Sequence, residues 1–209
     1  MAEAVKPQTR RDKARATRLR IIGAAHELFS TRGFGGTRMS DVADDAGVAV
    51  QTVYFTFHTK GELLQACYEL AVLGADDPRP PQEQPWYAEA MTAKTARKAV
   101  RAFVRGNGEI VARVGVLDEV MRLTPYEPEA YAVHVNSEAL RRAGYRDIVS
   151  SFAKRFRLQQ GLSVDRATDI LLTLASGALY RSFVLDQGWT QDEYVDWLTD
   201  VLLRVVVSS

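Results

Sequence analysis

Along most of the chain, apolar residues recur three and four positions apart, and the runs are cut by glycine or proline, the pattern of amphipathic helices. The first helix is expected over 17–31, with Leu19, Ile22, Ala25 and Phe29 as its buried stripe, and Gly33, Gly35 and Gly36 then punctuate a turn. Thr37 offers a hydroxyl cap to a second helix carrying Met39, Val42, Ala43 and Ala46, which Gly47 closes. Val48 follows as a plug, and a third short helix is expected from Val50 to Phe55, turning Val53 and Phe57 inward. Thr59 with Glu62 spells a capping box for a fourth, whose stripe is Leu63, Leu64, Cys67, Leu70 and Leu73.

From Gly74 to Pro85 the periodicity stops: Pro78, Pro80, Pro81 and Pro85 sit among polar residues, and no helix is expected through them. Helical periodicity resumes from Thr95 to Val114, then in a shorter helix ending near Leu123. Thr124, Pro125 and Pro128 mark a break before a long helix from Pro128 to Gln160. Ser163 caps a helix ending before Gly188, and Thr190 caps a last one ending near Val207. Strand-like alternation and internal repeats are not found, so the expected fold is all-α: a three-helix N-terminal domain and a larger helical bundle.

The stretch TRMSDVADDAGVAVQTVYFTF, Thr37 to Phe57, is two short helices about a tight glycine turn, the arrangement of a helix-turn-helix. Its outward side holds an amide, hydroxyls, a phenol and apolar groups, which suit base edges, thymine methyls and phosphates. The chain from Thr17 to Leu73, with RLRIIGAAHELFSTRGFGGTRMSDVADDAGVAVQTVYFTFHTKGELL, resembles the TetR family of transcriptional regulators. A softer resemblance lies in SVDRATDILLTLASGALYRSFVLDQGWTQDEYVDWL, which is similar to the C-terminal dimerisation helices of many actinobacterial-type members. Family members commonly have Ser at the position of Ala49 and a basic residue at that of Val50. The third helix here thus lacks a side-chain cap worth about 0.5–2 kcal/mol and one charge, which bears on the operator sequence rather than on the fold.

The resemblance implies a homodimeric, ligand-responsive regulator, more readily a repressor than an activator, that binds a palindromic operator in double-stranded DNA. Arg38, Gln51, Thr52, Tyr54 and Phe55 are expected at bases or the nearby backbone, beside Val50, with Thr37, His58 and Lys60 on phosphates. The implied organisation is a basic flexible arm (1–16), a DNA-binding domain (17–58), a connecting helix (59–73), a linker (74–85) and a ligand-binding and dimerisation domain (86–209). Leu171, Leu174, Ala178, Leu198, Leu202 and Val205 are expected at the dimer interface, against the plainer reading that these stripes form an internal core.

Charge sharpens the division. Net charge is +1, yet residues 1–60 hold ten Lys or Arg against six Asp or Glu, so the polyanion-facing part is N-terminal. A single cysteine, Cys67, excludes an intrachain disulfide, and the absence of a signal peptide or an apolar run of about 20 residues points to a cytoplasmic protein without membrane association.

A largely apolar small effector is expected in the C-terminal domain, with Trp86, Phe103, Asn107, Met121, Tyr126, His134, Tyr145 and Phe152 as candidate pocket residues. Asn107 stands on the apolar stripe of Val100, Phe103, Val104, Ile110 and Val114. Its amide needs a partner, and a neighbouring backbone is favoured over a ligand by about two to one. His26, His58 and His134 have no ligand-spaced partners, and no nucleophile elbow, phosphate loop or dinucleotide fingerprint occurs, so no metal, cofactor or catalytic site is expected. Two rival readings stand beside the regulator: an architectural DNA binder without effector, and a helical small-molecule-binding or catalytic protein that no longer reads DNA.

Overall fold

A computed structural model describes residues 9–74 and 78–208. The chain divides into two compact units: residues up to Tyr68 together with Val120–Val133 form the first, and Glu69–Glu119 with the residues from His134 form the second. The membership of Val120–Val133 in the first unit is not visible in the linear pattern.

In the first unit, α1 (Arg10–Gly36) begins seven residues earlier than the apolar stripe alone indicates. Thr9 and Asp12 form a reciprocal capping box that starts it at Arg10. Of the expected arm, residues 1–8 lie outside the described residues, and from Arg10 the chain is helix. Ile21, Ile22, Ala25, Leu28 and Phe29 are buried, whereas Leu19 is 42% exposed and lies off the buried face. Gly33, with φ 71°, breaks the helix and lets Phe34 fold back onto Phe29, ring centroids 5.8 Å apart. Next come α2 (Met39–Ala46), α3 (Val50–Thr56) and α4 (Lys60–Leu73). At the start of α4 the Thr59 hydroxyl accepts from the Glu62 amide at 3.1 Å, but the Glu62 carboxylate takes the amide of His58 rather than that of Thr59.

Inside the proline-rich segment a 3₁₀ turn (Pro81–Glu83) leads to α5 (Pro85–Thr92), a short helix that begins where the segment ends and that the apolar pattern does not mark. Pro85 sits at its first position, where a missing N–H costs nothing. The two helices expected between Thr95 and Leu123 are one, α6 (Ala96–Arg122), which passes through Gly115. α7 spans Pro128–Arg155 and ends short of Gln160, because Arg157–Leu158 (β1) pairs antiparallel with Val207–Ser208 (β2). α8 (Val164–Leu174) stops at Ala175, and the chain restarts in α9 (Gly177–Tyr180), capped by Ser176. A π-helical turn (Arg181–Asp186) follows, and α10 (Gln191–Val205) opens on the expected Thr190–Glu193 capping box.

The second unit is built on one core. Phe103, Ile148, Val149, Phe152, Leu171, Tyr194, Leu198 and Leu202 meet there from α6, α7, α8 and α10. Along its surface α6 and α10 run antiparallel, and three ion pairs one turn apart join them: Arg97–Asp200, Arg101–Asp196 and Arg105–Asp192. Such exposed pairs are worth at most about 1 kcal/mol each, so they set register more than stability. Among the described residues, no helix is long and apolar enough to cross a membrane.

Candidate nucleic-acid interface

The turn between α2 and α3 is fixed by backbone chemistry. Gly47 takes φ 63° and ψ 44°, the left-handed conformation that closes a helix, and its N–H donates to Asp44 O at 3.1 Å. The Val48 amide then reaches Ala43 O at 3.0 Å. Ala49 is extended and contributes no side-chain cap, so α3 starts on the single bond from Thr52 N–H to Ala49 O. Only seven residues long, α3 depends on packing. Val53 is fully buried, Phe57 is buried at the next turn, and the Arg18 guanidinium lies 4.3 Å from the Phe57 ring.

With Val53 inward, α3 turns Gln51, Tyr54 and Phe55 to the surface, and Val50 and Thr52 stand half-buried at its edge. Tyr54 is 52% and Phe55 86% exposed. A phenylalanine left almost wholly in water on a short helix has no role in this unit's core. Arg38 is exposed at the start of α2, where its side chain makes no capping bond. His58 is exposed, its Nδ1 3.2 Å from Glu62.

Two expected phosphate ligands have other work. Thr37 is buried and does not cap α2; its hydroxyl donates instead to Gly33 O at 2.8 Å, sealing the end of α1. Lys60 Nζ donates to Phe34 O at 2.8 Å and Thr37 O at 3.2 Å, and lies 4.1 Å from the Phe34 ring centroid. Lys60 therefore clamps the loop between α1 and α2, and the loop's glycine-rich sequence hides both roles because the carbonyls it frees are not readable as side chains.

The expected pocket residues have different placements. Phe103, Met121 and Phe152 are packed in core, and Tyr126 is 76% exposed. Trp86 lies flat on α6, where any side-chain carbon at Gly106 would come within 2.5 Å of its ring. Asn107 Nδ2 donates to Ala175 O at 2.9 Å; the Tyr145 hydroxyl bonds both Asn107 Oδ1 and Ala175 O. The amide thus meets backbone and a phenol at the α8 terminus, the plainer of its two readings. Of these candidates, His134 alone keeps a buried ring nitrogen, Nδ1, without a hydrogen-bond partner. A cavity of about 680 Å³ opens elsewhere, lined by Lys94, Thr95, Arg97, Phe156, Asp200 and Arg204, with Arg97 and Asp200 paired to each other.

Half of the expected dimer contacts are also placed otherwise. Leu171, Leu198 and Leu202 lie in the chain's own core, because α8 and α10 each need one apolar side to join their unit. Ala178 is exposed, Val205 is 41% exposed and Leu174 is half-buried. Among the described residues, no group of three or more His, Cys, Asp or Glu is placed to hold a metal ion.

A left-handed glycine between two short helices, with the second presenting polar and aromatic side chains to solvent, defines a helix-turn-helix protein with a helical companion unit. Residues 21–67 match the family of bacterial regulatory proteins described as the tetR family. Over 56 residues it is 41% identical to the HTH-type transcriptional regulator TtgR of Pseudomonas putida, a stretch covering 27% of each chain. The probable HTH-type transcriptional regulator ArpR of Pseudomonas putida matches equally, so the aligned segment spans about a quarter of these curated relatives. Solved structures share the fold. NalD, the secondary repressor of the MexAB-OprM multidrug efflux pump in Pseudomonas aeruginosa, superposes with a TM-score of 0.68 at 21% identity, covering 94% of this chain and 99% of that one. The transcriptional regulator FadR of Bacillus subtilis, in complex with stearoyl-CoA, gives 0.68 at 18% identity, covering 88% and 96%.

Proposed function

We propose that the protein is a homodimeric transcriptional repressor that binds a palindromic operator through α3 and is released by a small, largely apolar molecule in its second unit. The observation that carries this reading is the solvent-facing row of Gln51, Tyr54 and Phe55 on a helix otherwise pinned by Val53. Gln51 can pair bidentately with adenine, Tyr54 can reach bases or phosphate, and Phe55 can meet thymine methyls or sugar. Arg38, at the start of α2, supplies an exposed cation beside this face, and His58 stands at its far end. Thr37 and Lys60 act by holding the α1–α2 loop.

Two such helices separated by roughly one turn of DNA, about 34 Å, require a twofold mate. The dimer surface is assigned to the outward sides of α8 and α10 and the turn between them, with Leu174, Ala178, Leu185 and Val205 in place of the core leucines. A coupling of about 1–3 kcal/mol between effector and DNA sites gives a 5- to 150-fold change in DNA affinity. The segment Val120–Val133 is suited to transmit it, since it belongs to the first unit while α6 and α7 continue from it into the second.

Titration with DNA from upstream of the protein's own gene, against scrambled DNA of equal length at fixed salt, tests the reading. A preference of about 10³-fold or more, with a palindromic protected segment, is the expected result. Equal affinity for both sequences, governed by salt alone, would establish the architectural alternative at this DNA.

A further inference from the structure

The inward stripe of α7 changes character along its length. From Tyr145 through Ile148, Val149 and Phe152 it is core, and Tyr145 has its hydroxyl satisfied by Asn107 and Ala175 O. The preceding turns place His134, Ser137, Glu138 and Arg141 at spacings of three and four, on one side of the helix. Here polar satisfaction fails: His134 Nδ1, Ser137 Oγ and Arg141 Nε are all buried atoms without a hydrogen-bond partner. Ser137 is only 4% exposed. Such a group is costly while it stays unpaired, and folded proteins leave few of them. Three within two turns of one helix mark a place where something else supplies the partner.

The charges identify its class. Arg141 Nη2 donates to Glu138 at 2.6 Å, and Asp118 on α6 adds a second carboxylate to its field. Burial works against the guanidinium's charge, but Glu138, Tyr145 and Asp118 hold its pKa above the ordinary arginine value. An anion therefore meets two carboxylates and no unmatched cation, and a cation meets the Arg141 guanidinium that already faces both carboxylates. What remains directional is the Arg141 Nε–H and the Ser137 hydroxyl, two donors, with the His134 ring beside them. One turn before Asp118, a side-chain carbon at Gly115 would meet nothing within 4 Å.

We propose that His134, Ser137 and Arg141 form a binding site for the uncharged, oxygen-bearing end of an apolar molecule, such as a ketone, ester or lactone carbonyl. Arg141 Nε–H and Ser137 O–H donate to the carbonyl oxygen. As the effector site of the repressor the inference rests on the reading above; binding itself does not depend on it.

Calorimetric titration of the full-length protein, without DNA, with nonan-2-one, nonanoate and nonylamine provides the test. The ketone is expected to bind at least tenfold more tightly than either charged probe. Ser137→Ala should weaken the ketone about fivefold or more while the unliganded variant melts no lower than the parent, because it loses a buried hydroxyl that had no partner. Preference for a charged probe, binding of none of the three, or an unchanged ketone affinity in Ser137→Ala would overturn the proposal, and a lower melting temperature of that variant would show the hydroxyl satisfied within the fold. Ketone binding that leaves affinity for the upstream DNA unchanged would overturn its effector role, while failure to bind DNA at all would count against the regulator reading alone.

Discussion

Asn107 shows what a single residue reveals before its surroundings are known. An amide on an apolar stripe must be satisfied, and it is, by Tyr145 and the Ala175 carbonyl, 38 and 68 residues away. The need was legible in the sequence; the partners were not, because they arrive through tertiary contact. Ser137 and Arg141 were missed for a related reason: polar residues on a helix ordinarily face water, and only the burial of α7 makes theirs a problem. Burial also raises the Tyr145 phenol to about 12 from the usual 10.0. Its contribution to stability is therefore full below pH 10 and is lost as pH rises from 10 through 12. Chemical denaturation across that range should show the fall, and Tyr145→Phe should flatten part of it. At pH 7 the same change should cost about 1–3 kcal/mol by leaving Asn107 Oδ1 without a donor. The Cys67 thiol is pushed up to about 12 by burial too, so it should resist alkylation at pH 8 until the protein unfolds.

Among the elements, those governed by local chemistry were the most legible. Gly47, the Thr190–Glu193 box and the Ser163 cap each act within four residues, and their helices begin or end where the pattern indicates. α6 was divided at Gly115 because glycine weakens a helix by about 1 kcal/mol relative to alanine. The helix continues through it nonetheless, and a side-chain carbon at Gly115 would meet nothing within 4 Å, so no neighbour requires the glycine there. At the start of α4, by contrast, packing does require one. Gly61 N–H donates to Glu129 at 2.6 Å, and a Cβ there would fall 2.9 Å from the Glu129 Cβ. Gly61→Ala should accordingly destabilise the first unit by about 1–3 kcal/mol, read as a lowered urea midpoint.

Over the whole molecule, the division of labour follows charge and packing. The basic excess of residues 1–60 accompanies a small unit whose third helix spends its few inward positions on Val53 and leaves aromatic surface in water. The two units divide between Tyr68 and Glu69, inside α4 and ahead of the proline-rich break, and the return of Val120–Val133 to the first unit leaves no mark in the linear pattern, since no sequence period records which side a connection visits. The outward face of α3 carries the central claim, and it is tested by the ratio of affinities for upstream and scrambled DNA in the parent and in Gln51→Ala/Tyr54→Ala at one salt concentration. If α3 reads bases, the double variant folds, keeps its weak affinity for scrambled DNA and loses about 2–6 kcal/mol of discrimination, a collapse of the ratio by roughly 30-fold or more. A folded double variant that retains the parent's ratio would contradict the account.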